Sequence, residues 1–475
     1  MGTENATFDV RIWKTEVYKG SKVTTYRVRW ATGSAQWKES FRTRAQARSF
    51  ESELRSAVSR GASFDLTTGR PFSSSTREND MPWYDFCVSY VDMKWKGSAA
   101  KRRSTIAWAL VTIMPAMIES QRRMPYDSKE VRSALRQWGF NTKQRPDCPA
   151  DIAEILTWLS RNTRPVSALT KPEVLRGVLE RAVSLAAQDR PASAWVSRSN
   201  RAILKNALEY AVERKILASN PLSGLKWTEP KTTRAVDRRC VVNPGQARRL
   251  LDAVGQQMPS GPRLVAYFGV MYYSALRPEE AVTLSEENLS LPPLVWSEEA
   301  QAWEEPADGW GDLWLCSAWP ETGREWTDDG AIRDKRQLKS RAVGEWRRAP
   351  VPPPLTRLLR AHLDQFGIRP GGRLFTGVRG GELASITSRR VWDKARKTAL
   401  TPAEYASPLA RRAYDLRHAA VSTWLNGGVA PAQVAEWAGH SVAVLLKVYA
   451  QCIDGQDQAA RQRIDEALRW DSDPG

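Results

Sequence analysis

The stretch Tyr414–Ala450, "YDLRHAAVSTWLNGGVAPAQVAEWAGHSVAVLLKVYA", leaves the chain few ways to fold. Its apolar residues recur at helical spacing, and glycines interrupt them at fixed points. The pattern predicts three short helices. The first closes at Asn426-Gly427-Gly428, a C-cap signal. The second covers "APAQVAEWAG" and ends at Gly439, and the third opens with Ser441 as its N-cap. The break at Gly439-His440-Ser441 governs two polar side chains. His440 is one of three histidines in the chain, and Tyr449 follows nine residues later. A straight helix advances about 100° per residue, so nine steps would set the two on opposite faces. A bend between them lets both reach one point.

The rest of the 475 residues must be divided, because a chain this long exceeds one core and suits roughly two to four domains. Residues 1–61 alternate apolar and polar in "FDVRIWKTEVYKG" and "KVTTYRVRWATG". That alternation predicts a small α+β domain, a three-stranded sheet followed by a helix with Thr43 as N-cap and Gly61 as stop. This domain carries 12 Lys and Arg against 6 Asp and Glu. Arg11, Lys14, Arg27 and Arg29 would sit on its sheet, and a two-stranded ribbon fits the DNA major groove. Residues 62–80, rich in Ser, Thr, Gly and Pro, read as a linker. Residues 81–228 read as an all-α domain, its most regular helix ending at Asn220-Pro221. Two basic groups stand out there as candidate phosphate contacts: Lys94, Lys96, Lys101, Arg102 and Arg103 near one end, and Arg198, Arg201 and Lys205 near the other. Residues 229–242 form a second basic linker, and 243–475 read as one mainly helical α+β domain with a carboxy-terminal tail. Within it, residues 291–337 hold six tryptophans and 11 acidic against 4 basic residues, which predicts strands and loops on a face turned away from phosphate.

The formal net charge of +18 favours a polyanionic partner, most simply nucleic acid. The five cysteines lie far apart with no CxxC pair, so neither a zinc site nor a disulfide framework is expected. No apolar run is long enough to span a bilayer, and the amino terminus has no secretory pattern. A reduced, cytoplasmic setting is the expectation.

Four short motifs occur in order. They are "YYSALRPEEAVTL" with Arg277 and Glu280, "RQLKSRAVGEWRRAPVPPPL" with Lys339, "YDLRH" with Arg417, and "GH" with His440 followed at nine residues by Tyr449. In this order and spacing they resemble the tyrosine recombinase (phage integrase) family, from Arg277 to Tyr449. The preceding helical domain and small sheet look like that family's core-binding and arm-binding domains. The resemblance implies a site-specific recombinase, the integrase of a mobile element, that cleaves and rejoins DNA through a 3′-phosphotyrosyl intermediate. Tyr449 would be the nucleophile. Arg277 and Arg417 would clamp the phosphate, His440 would donate a hydrogen bond, and Lys339 would protonate the leaving oxygen. Glu280 would hold Arg277, and His418 would support the site from behind.

The chemistry suits those residue types. A phenol oxygen can attack phosphorus and later depart as phenoxide. Guanidinium forks match the extra charge of a pentacoordinate phosphorus. No metal or cofactor is called for. One departure stands out: Tyr414 occupies a position where the family usually has histidine, and a phenol is a poor base at neutral pH. The implied partners are double-stranded DNA attachment sites, further copies of the chain in a tetramer, and a directionality factor or DNA-bending protein. An amphipathic tail around Ile464, Leu468 and Trp470 would dock on a neighbouring subunit. A type IB topoisomerase and a non-catalytic DNA-binding regulator are the alternatives. The helix-turn-helix look of "GVAPAQVAEWAGHS" speaks for the regulator, which would leave Arg277, Lys339 and Tyr449 without a purpose.

Overall fold

The computed structural model describes residues 6–20, 23–71, 80–120, 124–183, 192–226, 235–299, 301–304, 306, 308–339, 341–342, 344–368, 372–449, 461–462 and 464. The chain divides into two compact units, Met1–Thr232 and Thr233–Gly475.

In the first unit, strands β1 (Ala6–Thr7), β2 (Val10–Ile12), β3 (Glu16–Lys19), β4 (Thr24–Thr32) and β5 (Ala35–Phe41) precede helix α1 (Arg44–Ser59) and strand β6 (Phe64–Asp65). β5 pairs along one edge of β4. The other edge is shared end to end, with β3 on residues 24–27 of β4 and β2 on residues 30–32. Four strands therefore occupy three places, where sequence reading expected three strands. The two-residue period of β4 turns Val28 and Trp30 into the core and Arg27 and Arg29 to the opposite face. α1 starts as expected, with the Thr43 hydroxyl accepting from the Gln46 amide at 3.3 Å.

Residues 62–71 of the linker expected over 62–80 belong to the sheet domain. β6 pairs with β1, Phe64 is fully buried with Val28, Trp30 and Leu54, and the Trp30 indole N–H donates to the Gly69 carbonyl. An apolar ring with a core to fill draws this polar-looking stretch onto the sheet.

The helical part comprises α2 (Trp83–Trp95), α3 (Ala100–Met117), α4 (Ser128–Ala134), α5 (Ala150–Asn162), α6 (Pro172–Ala182) and α7 (Ala194–Glu213). α3 is apolar nearly all round and packs against α2, α6 and α7, so it forms the centre. α7 stops before Asn220-Pro221. Lys215 takes a left-handed φ of 58°, and the Ile216 and Lys215 amides donate back to Ala211 and Val212, closing the last turn.

The second unit begins with α8 (Pro244–Gly255), α9 (Val265–Tyr273) and the single turn α10 (Pro278–Ala281). The basic stretch expected to be linker up to 242 joins this unit from residue 235. Val236 and Cys240 are buried, and the Val236 amide donates to the Val448 carbonyl at 2.8 Å. Strands follow: β7 (Leu289–Ser290), β8 (Val295–Ser297), β9 (Ala302–Glu304), β10 (Gly311–Leu315), β11 (Ser317–Ala318), β12 (Arg336–Gln337) and β13 (Arg347–Val351). They form an antiparallel sheet in the order β13-β10-β7 and two hairpin-like ladders, β11-β12 and β8-β9. The acidic segment 291–337 is strands and loops, as expected. Trp296 and Trp303 are exposed on the β8-β9 ladder, whereas Trp326 is fully buried. Helices α11 (Pro353–Phe366), α12 (Ser385–Ala399), α13 (Pro402–Ala406), α14 (Asp415–Asn426), α15 (Pro431–Ala438) and α16 (Val442–Tyr449) complete the unit. The three glycine-punctuated helices expected from sequence are α14, α15 and α16. Gly428 and Gly439 take left-handed φ values of 82° and 64° at the two breaks, and the Ser441 hydroxyl accepts from the Val444 amide at 3.3 Å. Of the expected docking helix around Ile464, Leu468 and Trp470, Ile464 is described and exposed, and Leu468 and Trp470 lie outside the described residues.

Candidate active site

Glu280 is the centre of charge. It lies one turn after Arg277, and its carboxylate accepts the Arg277 backbone N–H at 2.8 Å, half of a capping box. The same carboxylate accepts from Arg277 Nη1 at 2.6 Å and from both terminal nitrogens of Arg347, at 2.9 and 2.7 Å. Arg417 Nη1 stands 3.9 Å away. Burial alone would raise this carboxyl's pKa. The Arg347 and Arg277 guanidiniums outweigh burial and hold it well below the usual carboxylate range. Three buried or mostly buried guanidiniums thus share one carboxylate, which leaves an excess of positive charge inside the protein.

Backbone carbonyls fix the arginines. Arg417 is fully buried on α14 and donates to the carbonyls of Ala275 and Ala438. Arg277 donates to the Gly439 carbonyl at 2.9 Å. The Ala275 carbonyl is aimed by a left-handed φ of 53°, a conformation that costs an alanine about 1 kcal/mol or more and is held by the surrounding structure. Gly439 cannot be replaced without cost. A Cβ there would lie 2.2 Å from Arg347 Nη1, and the residue's φ of 64° is left-handed.

His440 follows directly. Its Nε2 lies 3.0 Å from Arg417 Nη2, which can only donate, so Nε2 accepts and Nδ1 carries the proton. That Nδ1 is buried without a hydrogen-bond partner, as are Arg417 Nε and Arg347 Nε. Burial, and then the charges of Arg417, Arg277 and Arg347, push the His440 pKa down to about 3. The imidazole is neutral at physiological pH.

Tyr449 arrives at the end of α16, as the bend requires. Its ring centroid is 6.1 Å from that of His440, and its hydroxyl is 2.9 Å from His418 Nδ1. The ring is 1% exposed and packs with Ala420, Leu445 and Ala438. Burial, then Arg412 and Arg417, push the His418 pKa down to about 4. Tyr414 stands edge-on to His418 at 5.1 Å between centroids, and its hydroxyl makes no hydrogen bond with a described residue.

Six of the residues singled out from sequence therefore meet: Arg277, Glu280, Arg417, His418, His440 and Tyr449. Tyr414 borders them. Lys339 does not join them; it is exposed in the turn after β12 and makes no hydrogen bond or ion pair with a described residue. Arg347 was missed, although a signal was present. In "RRAPV" it occupies the inward position of the two-residue period with Ala349 and Val351, and a buried guanidinium demands a carboxylate.

The basic candidates of the first unit fall differently. Arg11, Arg27 and Arg29 share the sheet face opposite α1, where Arg29 pairs with Glu16 at 3.3 Å and lies over Trp13. Lys14 is exposed in the connection after β2. Lys94 and Arg102 line a cleft of about 600 Å³ together with Ala202 and Asn206 of α7, so the start of α3 and the middle of α7 are neighbours rather than opposite ends. Lys96, Lys101 and Lys205 are exposed, and Arg198 and Arg201 half-buried. Arg103 departs from the expectation of an exposed phosphate contact. It is buried, donates to the Trp95 carbonyl at 2.9 Å and stacks on the Trp95 ring. Its position on the packed face of α3 turns it inward.

Among the described residues no helix is long and apolar enough to cross a membrane, and no group of His, Cys, Asp and Glu could hold a metal ion. No protein-family model matches the sequence. No curated protein matches it either. Among solved structures there are matches to DNA-bound proteins. One is the Tn1549 transposon integrase in complex with transposon right end DNA, at 13% identity and a TM-score of 0.43, covering 72% of this chain and 99% of that chain. Another is the XerH site-specific recombinase bound to its difH substrate, at 13% identity and 0.41, covering 78% and 97%. A third is a lambda integrase dimer bound to a COC′ core site, at 12% identity and 0.42, covering 96% and 97%.

Proposed function

We propose that this chain is a tyrosine recombinase, the integrase of a mobile element, which breaks and rejoins DNA through a 3′-phosphotyrosyl bond at Tyr449. One observation carries the reading. A phenol hydroxyl, two neutral imidazoles and a buried cluster of three arginines on one carboxylate are held together by a bend whose backbone carbonyls anchor Arg277 and Arg417. An excess of buried positive charge is costly unless an anion completes it. A scissile phosphate is such an anion, and a phenol beside it is a nucleophile.

The roles follow from geometry. Arg277, the more exposed of the two clamp arginines, meets the phosphate first. Arg417 spends its terminal N–H groups on carbonyls and His440, and has to exchange one of them for a phosphate oxygen. His440 offers its unpartnered Nδ1–H to the developing charge. Tyr414 has a hydroxyl that can donate to a phosphate oxygen. Lys339, on an exposed turn, delivers a proton to the 5′ oxygen once DNA draws it in. The sheet face of Arg11, Arg27 and Arg29 with nearby Lys14, and the helical cleft of Lys94 and Arg102 with nearby Lys96, Lys101, Arg198, Arg201 and Lys205, supply phosphate contacts. The assembled form is a tetramer on two attachment sites, with a directionality factor or a DNA-bending protein as further partners.

The test uses a crossover sequence selected by binding from a random duplex pool and rebuilt as a nicked duplex. The full chain should give a protein–DNA adduct on a denaturing gel, and Tyr449→Phe should give none while still binding. Binding without any adduct in the wild-type chain would sink the reading. Strand exchange between two duplexes then separates a recombinase from a topoisomerase.

A further inference from the structure

The proposed chemistry leaves one proton without an acceptor. The Tyr449 hydroxyl must lose it as the oxygen attacks phosphorus. His440 is engaged through Nε2 with Arg417, and its Nδ1 already carries a proton, so it cannot take another without becoming a cation among three arginines. Tyr414 is a phenol itself and makes no hydrogen bond to Tyr449. Lys339 stands outside the cluster, exposed in the turn after β12.

His418 is placed for the task. Its Nδ1 is 2.9 Å from the Tyr449 hydroxyl, inside the reach a general base needs. Building on the recombinase reading, we infer that His418 is the general base that takes the Tyr449 proton, a catalytic residue and not a supporting one. The resting ring is the Nε2–H tautomer, with Nδ1 accepting from the phenol. On attack the Oη–H bond breaks and its proton moves to Nδ1. The freed electron pair forms the Oη–P bond, the P–O5′ bond breaks, and the 5′ oxygen takes a proton from Lys339 or water. The imidazolium then releases its Nε2 proton to water, and the steps reverse at religation.

Two further features fit. His418 borders a cleft of about 370 Å³ lined by Asp237, Cys240, Arg411, Arg412 and Asp415, a route by which water can exchange the proton. The ring is a weak base because burial, Arg412 and Arg417 oppose its charge. A phosphate anion entering beside Arg417 counters that repulsion, so basicity rises when substrate arrives. The position next to Arg417 on α14 is what brings the ring to Tyr449, since consecutive helical residues point about 100° apart. Arg417 faces the carboxylate cluster while His418 faces α16.

The test measures the rate of adduct formation by the full chain on the nicked duplex. His418→Asn keeps an acceptor atom near the Nδ1 position but is no base. It should slow adduct formation by about a hundredfold or more, with DNA affinity unchanged. In His418→Ala, added imidazole can enter by the cleft and should restore the rate at least about tenfold. A His418→Asn rate within about threefold of wild type would show that the histidine only orients the tyrosine. Failure of imidazole to raise the His418→Ala rate would overturn the proton transfer even if both variants are slow. Neither outcome touches the recombinase reading, which falls only if the wild-type chain forms no Tyr449 adduct.

Discussion

The arginines around Glu280 and those on the sheet face of β4 show one residue type in two surroundings. Arg347 and Arg417 are almost wholly buried, and each terminal nitrogen is assigned to a carboxylate, a carbonyl or an imidazole. Arg27 and Arg29 stand on an open face, one near Ser40 and the other paired with a half-exposed Glu16. The buried set is positioned by the fold and cannot be moved without cost. The exposed set contributes charge whose value depends on salt. On the proposed function, position would make the first set chemistry and the second set affinity.

The largest effect should come from removing the shared carboxylate. Glu280→Gln leaves three guanidiniums without a counter-charge, and breaking a buried pair in this way costs about 3–5 kcal/mol. A chemical denaturation midpoint should fall accordingly, with adduct formation lost. A change below about 1 kcal/mol would mean the cluster is wetter than it looks. Gly439→Ala comes next. The Cβ would strike Arg347, and the left-handed backbone adds about 1–2 kcal/mol, so the variant should melt lower and cleave poorly.

Acid is a third probe. Glu280 has a lowered pKa in the folded protein, so its contribution is present above about pH 4.5 and is lost as pH falls. His418 and His440 fall from 6.5 to about 4 and about 3, because they are buried neutral. Unfolded histidine binds protons that the native state refuses. Stability should therefore start to decline below about pH 6.5 and keep declining to about pH 3. Melts of the wild type and of His440→Gln should converge in acid, the variant having lost one of the groups that resists protonation. Parallel curves would show that His440 is not buried neutral.

The smallest effect belongs to the open face. Arg27→Ala or Arg29→Ala should change stability by less than about 0.5 kcal/mol. Each should lower the salt dependence of DNA binding by about one phosphate. A loss of cleavage at constant affinity in either variant would break the contrast between the two regions.

The glycine punctuation made the α14–α16 bend legible, and with it the meeting of His440 and Tyr449. Arg277 and Glu280 were legible through the resemblance of "YYSALRPEEAVTL" to a tyrosine recombinase motif, and the reach of the carboxylate back to its own N-cap emerged only in the structure. What stayed hidden depended on contacts distant in sequence. Arg347 reaches Glu280 across 67 residues, and His418 reaches Tyr449 across 31. Nothing local in "RHAAV" says which helix that ring will face. Phe64 drew residues counted as linker into the sheet domain, and Arg103 was read as exposed because charge patterning does not reveal which face of α3 is packed.

The most direct test of the whole account is to trap the adduct, digest it and find the modified peptide by mass spectrometry. The account predicts a single nucleotide-bearing residue, Tyr449, in the peptide that follows Lys447. A phosphodiester on another residue, or an adduct that persists in Tyr449→Phe, would contradict it.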